Sequence, residues 1–82
     1  MNPKTKTIWL VIESFNNEPH VLSNHPTRKF AIDDLADTMA NMDFDKDDIS
    51  QAKKDGYFYD YDTMGHKIYT IMVEEFEFIC WD

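Results

Sequence analysis

With 82 residues, 16 Asp and Glu against eight Lys and Arg, and a net charge of −8, the chain reads as one acidic domain that repels nucleic acid and anionic membranes. Its one cysteine, Cys80, excludes an internal disulfide, and at the end of an apolar run it reads as a small core residue. The first apolar stretch, Ile8 to Ile12, is too short for a signal peptide or a membrane span, so a cytoplasmic location is expected.

Residues 6–15 predict a strand, with Ile8, Leu10 and Ile12 on one face and Trp9, Val11 and Phe15 on the other. Apolar side chains on both faces suit a central position. Asn16-Asn17-Glu18-Pro19 turns the chain into a short return strand through Val21 and Leu22. Pro26 and a Thr27 cap then open a helix over residues 28–42. Its apolar arc is Ala31, Ile32, Leu35, Ala36, Met39 and Met42, with Asp33 and Asp37 opposite.

Asp47 to Lys54 predicts a short second helix, with acids at its start, Lys53-Lys54 at its end and Gly56 as its stop. Tyr57 to Tyr61 is strand-like, Asp62-Thr63-Met64-Gly65 is a turn, and Lys67 to about Phe78 is a long last strand. Its faces are Ile68, Met72, Phe76 and Phe78 against Tyr69, Ile71 and Val73, and Glu74-Glu75 marks either a bulge or the point where it leaves the core. The fold class is α+β, in the order β-β-α-(α)-β-β. A mostly antiparallel four-stranded sheet of order 2-1-4-3 is expected, with one main helix packed on one face. Trp9, Phe15, Phe30, Phe76 and Trp81 are large enough to fill its core.

Several motifs fail on inspection. Asp43-x-Asp45-x-Asp47 imitates the opening of a calcium loop, but Asp48 stands where that loop needs Gly and Lys54 where it needs a bidentate Glu. His20, His25 and His66 lack a partner at chelating spacing. Ser14, Ser23 and Ser50 sit in no nucleophile elbow, and two glycines cannot build a phosphate-cradling loop. No catalytic residue, metal or cofactor is predicted.

The charge is lopsided. Residues 1–29 carry four basic and two acidic side chains, whereas residues 30–82 carry four basic and 14 acidic ones. Such a surface attracts basic proteins. In Tyr57-Phe58-Tyr59-Asp60-Tyr61-Asp62, aromatic area lies beside carboxylates that meet Arg and Lys. The expected partner-binding set is therefore Asp33, Asp37, Tyr57, Tyr59, Asp60, Tyr61, Asp62, Glu74, Glu75 and Glu77. As a charged band these groups would fill the phosphate track of a nucleic-acid-handling protein, without direct binding of DNA or RNA.

The compact strand–turn–strand, the helix opened by Thr27-Arg28-Lys29-Phe30 and the acidic aromatic hairpin near the C-terminus resemble small accessory proteins of bacteriophages and mobile elements. Some of these are acidic inhibitors of host nucleases, restriction enzymes or CRISPR effectors. The resemblance implies an inhibitory, non-enzymatic role in a host cytoplasm and carries over no site residue. The alternative is a structural or self-associating protein, a monomer or weak homodimer pairing through an edge strand, whose acidity gives only solubility.

Overall fold

A computed structural model describes residues 3–81, Trp81 by its backbone alone. The elements are β1 (Pro3–Phe15), β2 (Glu18–His25), α1 (Arg28–Asn41), α2 (Lys46–Asp55), β3 (Tyr57–Tyr61) and β4 (Lys67–Trp81). The four strands pair antiparallel in the order β2-β1-β4-β3. The two most apolar strands are central, as their patterning predicts.

Local chemistry explains the joints. Asn16 and Asn17 take positive φ of 50° and 70°, the left-handed pair that a two-residue hairpin matched to strand twist requires. The Phe30 amide donates to the Thr27 hydroxyl at 3.3 Å, capping α1 as its sequence predicts. Gly56 ends α2 with φ +84°, donating its N–H to the Ala52 carbonyl at 2.7 Å. Its own carbonyl accepts from the Val73 amide at 2.8 Å, which ties the helix end to the sheet.

The core forms where the helices meet one face of the sheet. Val11, Ala31, Leu35, Met39, Ala52, Tyr69 and Ile71 make one buried cluster, edged by Trp9, Phe44, Ile49, Phe58 and Val73. Both helices contribute to it; α1 buries Ala31, Ile32, Leu35 and Met39, and α2 buries Ala52. Met42 does not share the helix's buried arc. It ends α1, its amide donating back to the Thr38 and Met39 carbonyls, and stays 40% exposed as Asp43 turns away at φ +63°.

The large aromatics are mostly elsewhere. Phe30 and Phe76 are 52% and 51% exposed; Phe15, though 46% exposed, keeps its ring 5.0 Å from that of the core residue Tyr69, and Trp9 edges the core; the Trp81 side chain lies outside the described residues. Cys80 is only partly buried and outside the cluster, because it alternates onto the face of β4 that the helices do not cover.

The central strands outrun their neighbours. β2 pairs with β1 only from Trp9 onward, and β3 pairs with β4 only up to Met72, while β1 and β4 stay paired out to Pro3 and Trp81. The result is a two-stranded ribbon projecting from the four-stranded body. Glu74-Glu75 introduces no bulge: the β1–β4 register runs through Leu10↔Glu74 and Trp9↔Glu75 without a shift, and the strand leaves the core there. The ribbon stretches the molecule to 55 × 23 × 18 Å, with a radius of gyration of 14.7 Å. A compact chain of this length would have about 12 Å.

Leu35 is fully buried, so Leu35→Ala should destabilise by about 2–5 kcal/mol through lost burial and a cavity. Ile79→Ala, at a site 62% exposed on the ribbon, should fall within about 0.5 kcal/mol of wild type. Chemical denaturation monitored by circular dichroism checks both; equal effects would contradict this placement of the core.

Candidate functional site

Alternation along each strand sorts the side chains into two faces. Val11, Tyr69, Ile71 and Phe58 point to the helices, so Ile8, Leu10, Ile12, Met72, Phe76, Phe78, Tyr57 and Tyr59 point the opposite way. No element among the described residues covers that second face. Phe76 and Phe78 stack with ring centroids 6.4 Å apart, and Tyr57 and Tyr59 meet at 5.0 Å. A register shift beside Asp60 and Tyr61 lets Lys67 reach the same side, where its Nζ lies 4.3 Å from the Tyr59 ring centroid. Near the β1–β2 turn this face holds a shallow cleft of about 160 Å³, lined in part by Ser14, Tyr59, Lys67, Thr70 and Met72. That is below the roughly 300 Å³ of an ordinary small-molecule pocket.

The ten residues expected at the interface divide between the faces. Tyr57, Tyr59 and Tyr61 share the open face with Glu74. Asp60 shares the helix side with Phe58, and Glu75 and Glu77 project on that side from the ribbon. Asp33 and Asp37 lie outside the buried stripe of α1, Asp33 with the Lys29 ammonium at 3.0 Å. Asp62 organises its own turn, accepting from the Met64 and His66 amides at 2.9 Å each. The aromatics and most of the carboxylates therefore face different ways. This separation follows from period-two alternation within Tyr57–Asp62.

Two polar clusters carry no motif in the sequence. The Tyr69 hydroxyl donates to the Glu13 carboxylate at 2.7 Å; burial first, and then this carboxylate, hold the phenol well above its ordinary range. On the other flank, Ser23 and His25 of β2 meet Asp34 of α1. The Ser23 hydroxyl donates to Asp34, and the His25 Nε2 lies 3.0 Å from the same carboxylate oxygen and 3.1 Å from Ser23. Ser23 and Asp34 contact one imidazole nitrogen, so the three do not form a relay in which the two ring nitrogens bridge base and nucleophile. The cluster clasps the edge strand to the helix. Spacing alone could not reveal it, because nine residues and a chain reversal separate His25 from Asp34.

Among the described residues, no three His, Cys, Asp or Glu side chains are grouped to hold a metal ion, and no helix is long and apolar enough to cross a membrane. Comparison with models of known protein families, with curated proteins and with solved structures found no significant match.

The Ser23 hydrogen bond holds the Asp34 carboxyl below its usual value of 3.8, with help from His25, against burial that pushes it up. A carboxylate depressed in the folded state stabilises the fold above its ordinary pKa, and that stability is lost as pH falls through the folded value. Asp34→Asn should therefore melt below wild type at about pH 6, and the gap should narrow as pH drops below about 3.8. A gap that stays constant across a melting series from pH 6 to pH 2.5 would contradict the clasp.

Proposed function

We propose that the chain is a non-enzymatic acidic binding protein that occupies a basic, nucleic-acid-binding surface of a partner protein and inhibits it by imitating nucleic acid. The observation that carries this reading is the state of the carboxylates on the helix side. Asp33, Asp37, Asp60, Glu75 and Glu77 all reach solvent, and among the described ion pairs only Asp33 of the five is engaged. No charged residue among those described is buried. The negative field is therefore directed outward with little internal neutralisation, and it is fixed to helices and a paired ribbon.

A rigid array of carboxylates attracts Arg and Lys at long range, steers encounter and suppresses acidic competitors. Guanidinium groups that bind phosphate oxygens also accept carboxylate oxygens in the same fork geometry. The absence of strong local neutralisation matters here, since charges already paired would have to be released before meeting a partner. The size and layout shared with small phage inhibitors agree with this role, and a host cytoplasm is the compartment it implies.

The test uses proteins retained from bacterial lysate by the immobilised chain, each then measured as a purified partner. Raising salt from about 50 to 300 mM should weaken the complex more than about tenfold, because the ionic atmosphere screens the array. Duplex DNA or RNA bound by the partner should compete. Replacing Asp37, Asp60, Glu75 and Glu77 together by their amides should weaken binding far more than any single replacement, with folding retained. Asp62 is left in place because its carboxylate shapes the β3–β4 turn. A partner indifferent to salt, to nucleic acid and to the fourfold replacement would reduce the acidity to a solubilising coat.

A further inference from the structure

We infer that the open face of the β1–β4 ribbon is the interface of a symmetric homodimer, in which two copies pack face to face with their ribbons antiparallel. The ladder along this face supplies the reason for a second copy. Ile8 pairs with Phe76 at its middle; one step toward the ribbon tip lie Lys6 and Phe78, and one step toward the body lie Leu10 and Glu74. A two-fold axis lying between the sheets, across the strands at the Ile8–Phe76 level, exchanges tip for body. It sets Lys6 of each copy over Leu10 of the other, one strand spacing across from Glu74, lays Phe78 over Glu74, and brings the two Phe76 rings together at the centre.

Each Lys6 can thus reach the other copy's Glu74 diagonally, across one strand spacing, while ring meets ring at the centre, as a closed symmetric contact allows. Rotating one copy the other way, tip over tip, would leave Glu74 against Leu10 and Lys6 against Phe78. Such a contact leaves Lys6 and Glu74 at opposite ends of the segment, so the ion pair is lost. Phe76 is 51% and Phe78 37% exposed in the single chain, so both have area to lose. Overlap from Lys4 to Ile12 is about 30 Å long at strand rise, and sheets packed face to face sit about 10 Å apart, within reach of a Lys side chain. Several hundred Å² per copy lies at the lower end of specific interfaces, so a dissociation constant in the micromolar range is expected.

Edge pairing, the other route to a dimer, is opposed by charge. Beyond Met72 the outer edge of β4 has no strand partner among the described residues, but pairing two such edges about Phe76 would set Glu75 opposite the second copy's Glu77. Like charges across a ladder destabilise it, and this is a recognised way of guarding an edge. The face carries no such guard. The dimer leaves both helix layers, with their carboxylates, pointing outward. The proposed acidic binding role is therefore independent of it and is displayed twice.

Sedimentation equilibrium of the full chain, from about 1 to 500 μM, tests the proposal. Wild type should run as a dimer of 9.7 kDa chains, and Phe76→Asp should be monomeric with an unchanged circular dichroism spectrum. Lys6→Glu and Glu74→Lys, both at exposed sites, should each raise the dissociation constant more than about tenfold by setting like charges together. An equimolar mixture of these two variants should regain dimer, because each restores the pair that the other lacks. A wild-type monomer at 500 μM would assign the face to a different partner and overturn the proposal. So would a dimer indifferent to Phe76→Asp, or a mixture no tighter than its components.

Discussion

The structure turns on a mismatch between a sheet that is apolar on both faces and a helical layer that covers only one. β1 and β4 alternate Ile, Leu, Val, Phe and Met on both sides, and among the described residues the cover comes from two helices of 14 and 10 residues on one face. Burying one face consumes Leu35, Met39 and Ala52 and produces a core of small extent. The other face keeps Phe76, Phe78 and the tyrosine pair at the surface. Aromatic side chains of this size contribute most when both ring faces lose water. Their position outside the core leaves aromatic area on the open face for the proposed pairing.

Charge placement separates the two proposed tasks, acidic binding and face-to-face pairing, which would otherwise interfere. Glu75 and Glu77 protect the exposed edge of the ribbon and project toward the helix side, while Glu74, two residues before Phe76, lies on the open face. Were all three on the open face, repulsion would keep it apart; were none at the edge, ribbons would pair in open arrays. The same alternation sends Asp60 one way and Tyr59 the other. Period-two geometry therefore yields one surface that is mainly carboxylate and one that is mainly aromatic, on a single thin sheet.

Much of the architecture was legible because local signals agree with one another. Thr27 and Gly56 mark helix ends by specific backbone chemistry, and the strand order follows from which strands are apolar on both faces. The ribbon was not legible at Lys4-Thr5, a polar stretch with no hydrophobic period, which is held in strand form by its ladder to Ile79 and Cys80. Core membership was misread for Phe30 and Phe76 because hydrophobicity reports a preference for burial and not the presence of cover. The Ser23–His25–Asp34 clasp needed a tertiary contact between strand and helix, which no local spacing encodes. For the surface, the split of aromatics from acids could be read within one strand, whereas the opposed placement of Glu74 and Glu75 mattered only once the ribbon was known.

The central claim is that the two faces of one sheet do different work, and a matched pair of phenylalanines tests it. Phe76 on the ribbon's open face and Phe30 on α1 are 51% and 52% exposed in the single chain. Aromatic proton relaxation by a soluble paramagnetic agent, followed from about 10 to 500 μM protein, reports the accessibility of each ring. Phe76 should become protected as concentration rises, while Phe30 stays accessible throughout. Equal accessibility of both rings across the series would contradict the account.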